Sequence, residues 1–97
     1  RINFASSYLG NTELPGVQSM IGELMSRGET LQPKEFVDAC LDVVSQSMSQ
    51  ETLAELTAHA QSGGELRHGT DSERTEFTRR TGEMFRMIAA TADFQFG

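Results

Sequence analysis

Tryptophan is absent from this chain, and tyrosine and cysteine each occur once in its 97 residues. The single thiol, Cys40, excludes an internal disulfide, and its apolar neighbours place it on a buried face as an inert side chain. Without tryptophan the core has to rest on six phenylalanines, five methionines and the aliphatic residues. Long apolar runs are missing as well. A bilayer-spanning helix needs about 18 or more apolar residues in succession, and these residues contain no such run. Nor do they contain a charged start followed by a short apolar segment, the form of a secretory signal. Basic side chains are scarce: eight lysines and arginines against fourteen acids leave a formal charge of −6. An acidic surface repels phosphate backbones, so nucleic acid is not an expected partner.

The acidity is uneven, with three basic and nine acidic side chains through Leu66 and five of each from Arg67 onward. A chain of this length buries somewhat over ~60% of its extended surface on folding, enough for one modest core in a single domain. No segment alternates with the period of a strand, and no tight hairpin turn is present. The expected class is all-α: a compact bundle of about five helices, the longest at the C-terminus, followed by a short extended tail.

The longest amphipathic run spans Thr70 to Thr91. Phe77, Thr81, Met84, Ile88 and Thr91 recur at helical spacing, and Thr70 with Glu73 has the form of a capping box. On the reverse face Glu73, Arg74, Glu76, Arg79, Arg80, Glu83 and Arg86 are expected to stay wet. Earlier in the chain, Ile2 to Leu9 sets Phe4, Ala5, Tyr8 and Leu9 on one side, and Gly10-Asn11 would end that helix in the left-handed conformation. Leu14-Pro15-Gly16 is expected to turn the chain into a helix with Val17, Met20, Ile21, Leu24 and Met25 inward and Gly28 as its stop. Pro33 opens a third helix, with Glu35 near its positive end and Phe36, Val37, Cys40, Leu41 and Val44 inward. A break covers Ser45 to Ser49. Ser49 then caps a fourth helix, carried by Leu53, Leu56 and Ala60 as far as Gly63-Gly64. The connection from Gly63 to Gly69 is expected to be mobile.

Residues that could carry chemistry are few. His59 and His68 are nine apart across a double glycine, which does not set them on one helical face as metal ligands, and they are expected to face solvent. Asp38 and Asp42 stand one helical turn apart, a spacing that suits either a wet acidic face or an acid/base pair. No serine sits in a nucleophile elbow, and Gly63-Gly64-Glu65-Leu66 lacks the lysine and hydroxyl of a phosphate loop. Asp71 and Glu73 lack the alternation of a calcium loop. No cofactor is therefore expected. Four of the five methionines follow apolar stripes or lie beside them, so core filling is the expected role, while Met20 and Met25 also qualify as contacts for a partner. Phe94 and Phe96 are the other candidate contacts, because an aromatic tail has to be covered by this domain or by another chain.

Arg1-Ile2-Asn3-Phe4-Ala5, Leu14-Pro15-Gly16-Val17, Phe36-Val37-Asp38, Ser49-Gln50-Glu51-Thr52 and Ile88-Ala89-Ala90-Thr91-Ala92-Asp93-Phe94-Gln95 occur in this order. The series resembles the C-terminal portion of the exported bacterial family catalogued as domain of unknown function eighteen hundred. It departs from that pattern at Thr91-Ala92-Asp93, where Ser-Pro-Glu is commoner. The resemblance implies a helical module of an extracellular or envelope protein, contacting its own upstream domains or a protein partner. It brings no catalytic residue with it. Together with the start at Arg1, it leads us to expect a C-terminal fragment of a larger protein. The expected function is a non-catalytic packing and interaction module; the alternative is part of an enzyme or cofactor site completed by residues outside this chain.

Overall fold

In the computed structural model, which describes residues 8–91, a helical turn at residues 8–10 is followed by four longer helices and two very short strands. They run α1 (Pro15–Met25), β1 (Thr30–Leu31), α2 (Pro33–Val43), α3 (Gln50–Gly63), β2 (Leu66–Arg67) and α4 (Asp71–Ala90). The chain is all-helical apart from the small ladder, and its longest helix is the last, as expected. The first helix's expected start at Ile2 and the expected extended tail with Phe94 and Phe96 lie outside the described residues.

Local chemistry explains most of the boundaries. Thr70 accepts from the Glu73 amide at 3.1 Å, and the Glu73 carboxylate accepts from the Thr70 amide at 3.1 Å, so the capping box at the start of α4 is complete. Ser49 caps α3 in the same sense, accepting from the Thr52 amide at 3.2 Å. At α2 the box is made by Gln32 and Glu35, whose carboxylate accepts from the Gln32 amide at 2.8 Å, with Pro33 in the first turn. Pro15 does the same for α1. It was expected to turn the chain, but it occupies the first helical turn, where a missing amide proton costs nothing, and the turn is made earlier by Asn11.

One helix end differs from expectation. Helix α1 stops at Met25, before the Gly28 expected to end it, and Gly28 is not left-handed. Helix α2 ends at the expected break, which opens on a left-handed serine. Ser45 adopts φ 57°, its amide donates to the Asp42 carbonyl at 3.0 Å, and the Gln46 amide reaches the Leu41 carbonyl at 2.9 Å. This is the paired bonding of a Schellman cap, built on a residue that bears a Cβ.

The larger correction concerns strands. No strand was expected, yet Thr30 pairs with Arg67 and Leu31 with Leu66 in an antiparallel ladder. The Gly63–Gly69 connection, expected to be mobile, is held by this ladder and by Leu66, which is buried. A two-residue strand carries no readable period, so only the burial of Leu31 and Leu66 marks it.

The core lies where α4 crosses the other helices, with α2 packed most extensively on α3. Phe36, Phe77, Phe85, Leu24, Met84 and Ile88 are its largest fully buried side chains. The Phe36 and Phe77 rings meet edge to face, 6.1 Å apart at 76°. Thr81 is buried among them without penalty because its hydroxyl donates to the Phe77 carbonyl at 2.8 Å. Among the described residues no buried side-chain polar atom lacks a partner.

Replacing Phe77 with alanine should cost about 3–5 kcal/mol, read from the urea midpoint at unchanged m-value. The substitution Ser45→Gly should act in the opposite direction, raising stability by about 1 kcal/mol because the left-handed penalty on a Cβ-bearing residue disappears. Gly64, at φ 77° and ψ −167°, occupies a region that is essentially closed to other residues. Gly64→Ala should therefore lower stability by about 1–3 kcal/mol in the same titration.

Candidate functional site

The densest polar arrangement forms where α3 ends. That helix has no basic residue in its last turn; the Gly64 amide reaches the Gln61 carbonyl at 3.1 Å, and other final carbonyls are satisfied by side chains. Arg80, projecting from α4, donates to the carbonyls of Ala60 at 2.9 Å, Gly63 at 3.3 Å and Glu65 at 3.4 Å. Its guanidinium also sits 5.9 Å from the centre of the Phe36 ring. Burial pushes the guanidinium below its ordinary pKa, with the nearby Glu76 carboxylate pulling the other way. Arg80 was expected on the wet face. It lies three residues after Phe77 and four before Met84, on the edge of the apolar stripe, and that spacing was the available signal. Phe85, also absent from the expected stripe, is fully buried beside Met84.

Glycine at position 63 is what lets the guanidinium approach. A Cβ there would stand 2.7 Å from the Arg80 Cζ. Beside this contact lies a recess of about 180 Å³ lined by residues that include His59, Ser62, Arg79 and Glu83. The His59 Nε2 is 3.3 Å from the Glu83 Oε1, and the Ser62 hydroxyl donates to the His59 carbonyl at 2.6 Å. On the other side of β2 a groove of about 310 Å³ runs between Arg67 and Glu76. Its three carboxylates are already engaged, Glu73 by the Gly69 and Thr70 amides. Glu65 lies 2.7 Å from the Arg67 Nε, and Glu76 lies 2.6 Å from an Arg79 nitrogen. The hydrogen bond from Arg67, followed by one from Gln32, holds the Glu65 carboxyl below its ordinary value, and the bond from Arg79 does the same for Glu76.

The residues singled out from the sequence are dispersed. Asp38 pairs with Lys34 at 3.3 Å along α2, while Asp42 takes the Arg27 guanidinium at 2.6 Å and so ties the end of α1 to α2. Their shared helical face is therefore a solvated ion-pair surface. His59 faces solvent as expected, in its contact with Glu83. His68 does not. Its Nε2 lies 2.7 Å from the Gly28 carbonyl, and its ring meets Phe77 edge-on at 5.5 Å, so it locks the connection before β1 onto the start of α4. Among the described residues no group of three potential ligands is placed to hold a metal ion. Cys40 is buried, and that burial pushes its thiol pKa far up, as an inert core residue requires.

Of the candidate partner contacts, Met20 and Met25 are half-buried against the core, whereas Phe94 and Phe96 lie outside the described residues. Tyr8, which was assigned to an inner face, is 47% exposed. Its hydroxyl lies at Gly16, one turn before Met20 on the same side of α1. The helical turn at residues 8–10 is fixed against α4 by close backbone approach. A Cβ on Gly10 would overlap the Arg86 side chain, and one on Gly82 would stand 2.6 Å from a Thr12 methyl. The segment from Gly10 to Thr12 thus lies against α4 at Gly82 and Arg86.

The fold defines a small all-α bundle in which two helices are joined end to side by an arginine and a short ladder. No protein-family model matches the chain, and no curated protein or solved structure matches it. No described helix is long and apolar enough to cross a membrane.

Arg80→Met should cost about 2–3 kcal/mol in urea unfolding, since a charge-assisted cap is lost and three carbonyls lose their donor. Gly63→Ala should destabilise the native protein by pushing the guanidinium aside, yet become neutral or mildly stabilising when Arg80 is already methionine. Additive effects in that cycle would disprove the dependence on close approach. Acid stability follows from Glu65 and Glu76. Their folded values lie below the ordinary 4.5, so the stability they contribute is present above that pH and is lost as pH falls through the depressed values. Both sites are exposed and the effect is small. The Glu65→Gln, Glu76→Gln double variant should show a shallower fall in Tm on acidification than the native chain.

Proposed function

We propose that this chain is a non-catalytic helical packing and interaction module whose partner surface lies at the end of the bundle marked by Tyr8. The observation that carries this reading is the exposed Tyr8, its hydroxyl at Gly16, on a surface whose other large apolar side chains, among the described residues, are at least half-buried. Met20 and Met25 supply adaptable apolar contact at the same helix; Phe94 and Phe96 are candidate contacts from the sequence alone. The order of the motifs from Arg1 to Gln95 supports placing the module in the C-terminal portion of the exported family catalogued as domain of unknown function eighteen hundred. The partner is then a protein, or the upstream domains of the same polypeptide, in the envelope or outside the cell.

A second reading rests on the recess at His59, Ser62 and Glu83: a partial enzyme or cofactor site completed by residues outside this chain. Zinc titration of the parent protein separates the two, because loss of His59 would abolish binding only under the second.

For the first reading, the Phe94→Ala, Phe96→Ala double variant and the Tyr8→Ser variant should each weaken assembly of the parent protein in pull-down and size-exclusion experiments by about tenfold or more, the loss expected when a buried aromatic anchor is removed. Unchanged assembly in both variants, with unchanged melting temperature, would remove the proposal.

A further inference from the structure

We draw no further inference here: the strongest candidate, the groove between β2 and α4, has its cations Arg67 and Arg80 already engaged by Glu65 and by backbone carbonyls and is otherwise a cluster of acidic side chains with no second observation that points to a ligand.

Discussion

A helix that ends without a cation of its own leaves carbonyl oxygens that have to be satisfied by something else. In this protein α3 ends that way, and the guanidinium that answers it belongs to α4, whose apolar face already holds Phe77 and Met84 in the core. One side chain therefore fixes the angle between two helices and the course of the connection into β2. Glycine at position 63 is required by the same contact, because any Cβ would occupy the space of the guanidinium. The short ladder then follows. With Arg80 holding the Glu65 carbonyl, Leu66 is delivered to the core and pairs with Leu31.

The contact of α4 with the turn at residues 8–10 is organised differently. Here two glycines make room for side chains, with Arg86 laid over Gly10 and the Thr12 methyl set against Gly82. The result is that a helical turn too short to be stable alone is held against a long helix, and Tyr8 is turned outward rather than into the core. The proposed contact surface thus depends on glycines that bear no side chain and touch no partner. Arg27, Arg67 and Arg79 are each engaged by carboxylates of this chain.

Much of the architecture could be read from residue spacing. The stripe from Phe77 to Ile88, the capping box at Thr70 and Glu73, the serine cap at Ser49 and the proline-opened helix at Pro33 were all legible, because each is a local pattern with a local cause. The candidate site was less so. His68 was expected in solvent, but its partner is a backbone carbonyl forty residues away, and no pattern near His68 announces it. Arg80 was assigned by charge to the wet face although its position on the helix placed it at the margin of the buried stripe. A long side chain can bury its stem and still find polar partners for its head.

The amino-acid order by itself determined the helical class, the capped starts of α2, α3 and α4, the inert burial of Cys40 and the acidic balance, since these depend on neighbours within a turn or two. Only the tertiary structure decided that Gly63 to Gly69 is held in a ladder, that Ser45 closes a helix in the left-handed region, that Arg80 caps a foreign helix and that Tyr8 faces outward. The physical reason is the same in most of these cases. A backbone carbonyl or a Cβ-free surface has no signature in sequence, and its partner becomes known only when distant segments are brought into contact.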